Sequence, residues 1–351
     1  MHNSSIRRCG ANPVITAAAV CPTNRQMRVV GIFNCGGAYL NGKIYLVCRI
    51  AEMFDPVSEN TLVVPCMGRD GSLTSETFEL SDSRYDFSDK RVIVERRTKK
   101  TVALTSLSTF RLAVSDDGIH FTVSPAPCFL PDPVSEAWGT EDPRVTGLEG
   151  RFYLTYSSVS RDGVGVSLCV TDDFSVFTRI GMILPPANKD AVLFPEKIGG
   201  NYYLLHRPTM DCGIGDSDIW IADSPDLVHW GNHRHLCGCH TGNVWEEQKI
   251  GAGAPPVLTD RGWLVLYHGV DMHDRYSIGA LLLDRDNPST ILWRTEHPVM
   301  EPEMPYEKSG FFSQTVFPCT ALKAGRDIVI YYGAADNSIC RVDIPLEELL
   351  V

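Results

Sequence analysis

Gly262-Trp-Leu-Val-Leu-Tyr-His268 is a turn glycine followed by an apolar run that ends in two polar rings. Aromatic and branched residues after a turn glycine favour a pleated backbone, so the phrase predicts a buried strand. It recurs as Gly42-Lys-Ile-Tyr-Leu-Val-Cys-Arg49, Gly150-Arg-Phe-Tyr-Leu-Thr-Tyr156, Gly200-Asn-Tyr-Tyr-Leu-Leu-His206-Arg207 and Gly325-Arg-Asp-Ile-Val-Ile-Tyr-Tyr332. A second phrase follows: Ser115-Asp-Asp-Gly-Ile-His-Phe121, Thr171-Asp-Asp-Phe-Ser-Val-Phe177 and Ser224-Pro-Asp-Leu-Val-His-Trp230, with a degenerate copy from Leu283. A strand and a turn recurring down the chain, closed by an aromatic in three copies, describe the blades of a β-propeller, and five copies of the strand give five blades. The chain is therefore expected to be all-β, a five-bladed β-propeller forming a single catalytic domain over residues 1–351.

The first two glycines of the repeat stand 108 residues apart, whereas later intervals are 50, 62 and 63. The first blade thus carries a long insertion, about residues 51–105. A segment of that length can fold over the mouth of a propeller's channel and shape a substrate pocket. Helix is expected only near the C-terminus, at Leu346-Glu-Glu-Leu-Leu350.

Composition narrows the partners. The net charge is −11, and the basic run is limited to Arg96-Arg97-Thr98-Lys99-Lys100, so nucleic acid is not an expected partner. No apolar stretch reaches the length of a membrane span, and the segment Val14–Val20 lacks a cleavage pattern for a signal peptide. The 12 cysteines show no framework spacing and read as buried thiols of a cytoplasmic protein.

The repeat ends place Arg49, Tyr156, Ser157, His206, Arg207, Tyr267, His268, Tyr332 and Asp336 at equivalent positions. In a ring of blades such positions converge, which predicts a polar, partly cationic funnel. Within Gly139-Thr-Glu-Asp-Pro-Arg144, alternation along a strand would point Glu141 and Asp142 to opposite faces. One would then serve as an acid in the channel and the other would pair with Arg144 or with backbone amides; a plain turn held by an Asp–Arg ion pair fits the spacing equally. Lys249, on a glycine-rich approach beside Arg207 and His268, suits an oxyanion, or is simply a solvated lysine on a tight turn. His233-Arg-His-Leu-Cys-Gly-Cys-His240 has the residue types of a zinc site, but its spacing matches no closed four-ligand set, so no metal is expected.

Read together, these phrases resemble glycoside hydrolase family 130, the β-mannoside phosphorylases. The resemblance runs from about Asn12-Pro13 to the C-terminus through Phe33-Asn34, the Arg49 strand, Thr140-Glu-Asp-Pro-Arg144, Asn188-Lys-Asp190, Leu205-His-Arg-Pro208, Lys249-Ile-Gly251, Tyr267-His-Gly269 and Tyr332-Gly-Ala-Ala-Asp336. It implies inverting phosphorolysis: a β-mannoside and inorganic phosphate give α-mannose 1-phosphate, phosphate being a co-substrate and no cofactor being needed. It also implies Asp142 as proton donor, with Arg207, Lys249, His268, Arg49 and Lys189 around phosphate. Asn34, Asp336, Tyr267 and Glu141 would hold the mannosyl unit, and a homo-oligomer would be the working form. The insertion phrases Tyr85-Asp-Phe-Ser-Asp89 and Leu104-Thr-Ser-Leu-Ser108 resemble the β-1,2-mannobiose and oligomannan branch. Three alternatives stay open: a β-1,4-mannoside phosphorylase, a β-mannosidase using Glu52, Glu246 or Glu247 as base, and a non-catalytic carbohydrate-binding propeller.

Overall fold

Each repeat phrase forms the second strand of an antiparallel meander: Lys43–Phe54, Arg151–Ser160, Tyr202–Pro208, Gly262–Val270 and Asp327–Ala334. The computed structural model describes residues 6–209, 216–240, 242 and 244–350. On one side each second strand pairs with a preceding, innermost strand: Met27–Leu40, Gly139–Leu148, Asn188–Leu193, Lys249–Ala252 or Val316–Ala324. On the other it pairs with Leu107–Ser115, Gly163–Thr171, Ile219–Ser224, Tyr276–Leu283 or Ser338–Pro345. An outermost strand completes each unit, namely Thr122–Val123, Thr178–Leu184, Gly231–Cys237, Ile291–Arg294 and, for the last, Arg7–Arg8 from the other end of the chain. A single parallel bridge, Ser108 to Gly139, joins the first two units into one eight-stranded sheet.

The innermost strands approach one another closely. A β-carbon on Gly36 would lie 2.8 Å from both the Pro143 carbonyl oxygen and the Val145 nitrogen, so only glycine fits there. Side chains bond across the units: Thr320 to the Cys35 carbonyl, Thr155 to the Ala191 carbonyl at 2.7 Å, and Arg144 through Nε to the Gly253 carbonyl. Such bonds satisfy backbone oxygens that the ends of the inner strands would otherwise bury unpaired. Between the units, the core is made of aliphatic layers such as Leu264, Leu266, Ile278, Ile328 and Ile330.

Three units repeat a buried Tyr–Glu–Arg group. Tyr156 donates to Glu136, Tyr267 to Glu246 and Tyr332 to Glu307, each at 2.7 Å. In each case an arginine of the outermost strand closes on the glutamate: Arg179 at 3.0 Å, Arg294 at 2.8 Å and Arg8 at 2.8 Å. The repeat's tyrosines are therefore committed inside their units and do not enter the funnel expected for them. His206 is committed likewise, its ring lying 3.0 Å from the Asn188 amide and 3.1 Å from His233. Their strand neighbours Arg207 and His268 take the cavity face, as period-two alternation requires.

The insertion is folded, and the structure bounds it by the strands ending at Phe54 and starting at Leu107. It holds a hairpin, Thr61–Met67 with Leu73–Glu79, and a small sheet of Tyr85–Asp86, Val92–Glu95 and Thr101–Leu104. Val64, Ile93 and Ala103 form its own apolar cluster, packed by Leu62, Phe78, Tyr85, Phe87 and Val102. Besides the expected C-terminal turn, Leu346–Leu349, there is among the described residues one short α-helix, Pro305–Lys308. Among the described residues no cysteines are bonded to each other.

Candidate active site

A cavity of about 260 Å³ lies at one end of the innermost strands, beneath the insertion. Three of these strands build it with one device. Asn34, Asp142 and Asp190 each sit at a β-bulge, with φ of 46°, 51° and 53°. Asparagine and aspartate tolerate this left-handed conformation better than other non-glycine residues, and a bulge re-aims a side chain. The result is three short polar groups from three units turned into one space.

The bulge also corrects the expected split of Glu141 and Asp142. They do not face opposite ways: both line the cavity, and both are held by Arg49 from the first unit. Arg49 Nη2 reaches Glu141 Oε1 at 2.7 Å and Nη1 reaches Asp142 Oδ1 at 2.9 Å. The left-handed residue breaks the two-residue alternation between Glu141 and Arg144. Arg144 does not pair with the Asp142 carboxylate; its Nη1 donates to the Asp142 backbone carbonyl. The Asn34 amide adds a bond to Asp142 Oδ1 at 2.8 Å. Burial alone would raise the Asp142 pKa, but Arg49, then Lys189 and Arg144, with the Asn34 bond, outweigh it and hold the carboxyl down at about 2. Asp336 behaves oppositely. Burial, with Asp142 and Glu141 adding repulsion, pushes it up to about 7 against the pull of Arg49 and Arg91.

Part of the cavity wall is cationic. Lys189, Arg207 and His268 line it around Asp190, whose Oδ2 accepts Arg207 Nε at 2.7 Å and lies 3.6 Å from His268 Nε2. Burial would raise Asp190, but Arg207, His268, Lys189 and Arg144 together hold it well below the usual carboxylate range. His268 packs against the rings of Tyr276 and Phe317, 5.7 and 4.6 Å away, which also touch each other. Burial lowers its pKa to about 3, with Arg207, Arg144 and Lys249 adding to the effect against Asp190. It is thus a neutral imidazole near neutral pH and offers a hydrogen bond, not a charge. Lys249 stands just behind this wall, its ammonium 5.3 Å from the Tyr276 ring centre. Burial and the charges of Arg207 and Lys189 bring its pKa down to about 8.

Of the residues singled out from the sequence, Asn34, Arg49, Glu141, Asp142, Lys189, Arg207, His268 and Asp336 come together around the cavity, with Lys249 adjoining. Tyr267 does not: its hydroxyl is buried against Glu246 and Arg294. Glu246 shares that burial, and Glu52 is buried against Thr23, so neither possible water-activating base reaches the cavity, nor does Glu247. In the His233–His240 stretch, His235 contacts Asp218 at 2.9 Å, and among the described residues no group of metal-ligating side chains forms. The sequence reading missed Asp190, although it occupies the same bulge position as Asn34 and Asp142. It also missed Arg91 of the insertion, which lines the cavity and stacks 4.6 Å from the Phe312 ring centre. No repeat pattern marks Arg91.

A family model described as β-1,4-mannooligosaccharide phosphorylase matches residues 89–351. A β-1,2-mannobiose phosphorylase of Listeria innocua is 42% identical over 350 residues, covering 99% of this chain and 98% of that protein. A 1,2-β-oligomannan phosphorylase of a Thermoanaerobacter species is 37% identical over 236 residues, covering 66% of this chain and 77% of the relative. The Listeria enzyme solved with β-1,2-mannobiose superposes with a TM-score of 0.95 at 41% identity, covering 98% of both chains.

Proposed function

The chain belongs to glycoside hydrolase family 130, the β-mannoside phosphorylases, and from that membership we propose that it performs inverting phosphorolysis of β-1,2-mannosides. Phosphate displaces the glycosidic oxygen at the anomeric carbon, yielding α-mannose 1-phosphate and the shortened sugar. The observation that carries this reading is one cavity lined both by Asp142, Asn34 and Arg49 and by Lys189, Arg207 and His268. Water needs a carboxylate to activate it, whereas phosphate arrives as an anionic nucleophile and needs cationic positioning. Among the described residues neither Lys189 nor Lys249 forms an ion pair, which suits both to an incoming anion.

In this mechanism Lys189, Arg207 and Lys249 hold phosphate electrostatically and the neutral His268 donates one hydrogen bond. Asn34, Glu141 and Asp336 hold the mannosyl hydroxyls. Arg49 fixes the Asp142 carboxylate at the departing oxygen. The proton balance follows from the charges. Asp142 is ionised in the empty site, and phosphate brings negative charge that partly cancels the cations holding it so. Asp142 takes up a proton as phosphate binds and gives it to the departing oxygen, while the proton that phosphate loses on bonding to carbon returns to solvent, so the count is conserved. Tyr267 has no part in this scheme.

The same proposal includes the finer architecture. Five four-stranded units whose inner strands touch, with Arg7–Arg8 completing the last, fit a five-bladed propeller closed by its N-terminal strand. A homo-oligomer in the cytoplasm remains the expected setting; no helix among the described residues is long and apolar enough to cross a membrane. The test is incubation with β-1,2-mannobiose with and without inorganic phosphate. Phosphate-dependent α-mannose 1-phosphate is expected; equal release of free mannose without phosphate would sink the reading.

A further inference from the structure

A second cavity, of about 370 Å³, opens beside the first and shares two of its walls, Val92 and Phe311. The two cavities are also linked by an ion pair: Asp89 lines the second cavity, Arg91 lines the first, and they meet at 2.8 Å. The second cavity is mainly apolar. Leu62, Leu80 and Phe87 come from the insertion, and Val30 and Met53 from the first unit. None of Lys189, Arg207, His268 or Lys249 borders it, so it adjoins the site away from the proposed phosphate wall. A cavity of this size with apolar walls and a few charged groups at its edge has the proportions of a small-ligand site. Arg28, Asp89, Lys90 and Thr105 also line it, but Arg28 is paired with Asp55 and Asp89 with Arg91, so a further hexose would lose water at the apolar walls and meet few free polar partners.

We propose that this second cavity receives an apolar aglycone, an alkyl or aryl group on the acceptor sugar, so that mannosides with an apolar tail are substrates. The inference rests on the phosphorylase reading of the neighbouring site. In the synthetic direction the acceptor hydroxyl bonds to the anomeric carbon of α-mannose 1-phosphate as the bond to phosphate breaks. The hydroxyl proton leaves through Asp142, and inorganic phosphate is released. The tail undergoes no chemistry; it binds in the second cavity while its sugar occupies the first.

Methyl and hexyl α-D-mannopyranoside, offered as acceptors with α-mannose 1-phosphate, test this. A fully buried methylene is worth about fourfold in binding, and partial burial of five should lower KM for the hexyl acceptor at least tenfold. Leu80 borders the cavity and is 44% exposed, so it tolerates substitution. Leu80→Asp should remove the hexyl advantage while turnover of β-1,2-mannobiose stays within about twofold. Leu80→Trp, filling the space, should do the same. Equal KM values for the two acceptors, or a hexyl advantage that survives both substitutions, would overturn the proposal. Absence of phosphate-dependent turnover of β-1,2-mannobiose by the unaltered chain would instead overturn the underlying reading. Calorimetric binding of hexyl mannoside to the unaltered and Leu80→Asp proteins then still decides the cavity: tighter binding to the unaltered chain supports it, and equal binding refutes it.

Discussion

Two aspartates in one cavity sit on opposite sides of their ordinary pKa, and the difference is a matter of partners. Asp142 is held down by Arg49, Lys189 and Arg144 with the Asn34 bond, whereas at Asp336 burial, helped by Asp142 and Glu141, outweighs Arg49 and Arg91. Asp142→Asn should keep the Asn34 and Arg49 contacts approximately but lower kcat by about a hundred- to ten-thousand-fold; steady-state rates check this, with a thermal melt to show folding. For Asp336 the sign is unusual. Its folded pKa of about 7 exceeds the ordinary 3.8, so the stability it contributes is complete below 3.8 and is lost as pH rises through 7. Asp336→Asn should therefore melt higher than the unaltered protein at pH 8, with the gap closing by about pH 4. Lys249 gives a kinetic counterpart. As pH rises through about 8 it loses its charge, so KM for phosphate should climb, and Lys249→Arg should shift that climb to higher pH. A flat KM between pH 7 and 9 would remove Lys249 from the phosphate site.

At the scale of strands, the inner edge of each unit does two jobs: it closes on its neighbours and it aims the site. Gly36 shows the first. Gly36→Ala would put a methyl group against the Pro143 and Val145 backbone, next to the Asp142 bulge. It should cost about 1–3 kcal/mol by overpacking and lower kcat as the bulge moves, read from denaturant unfolding and turnover. The bulges show the second job, and they explain where the sequence was readable. Strand positions followed from the glycine-aromatic repeat, and Arg207 and His268 followed from its polar ends. The facing of Glu141 and Asp142 did not, because one left-handed residue cancels the alternation on which such a reading depends. Tyr267 was misplaced for a related reason. A tyrosine and a histidine at adjacent strand ends look alike in sequence, but opposite faces send one to Glu246 and the other to the cavity.

Across the whole molecule, the two chain ends meet. Arg7–Arg8 pair with Val342–Asp343, and Arg8 supplies the arginine that Arg179 and Arg294 supply in other units. Glu307, with its side chain 0% exposed, depends on it. Arg8→Ala should destabilise the fold by about 3 kcal/mol, the cost of leaving a buried carboxylate without its cation; an unchanged melting temperature would show that the N-terminal strand does not help hold the last unit. The insertion is likewise a tertiary matter, since a long gap in a repeat says only that something is added. Only its folding over the cavity, with Arg91 and Val92 in the wall, ties it to the candidate site. The sequence by itself determined the all-β class, the count of repeated units and most of the charged residues of the site, because propensity and period are local properties of the chain. The tertiary structure decided which face each residue takes, which charges meet and what pKa each acquires. Those depend on contacts such as Arg49 with Asp142, made between distant stretches of chain only once the units pack.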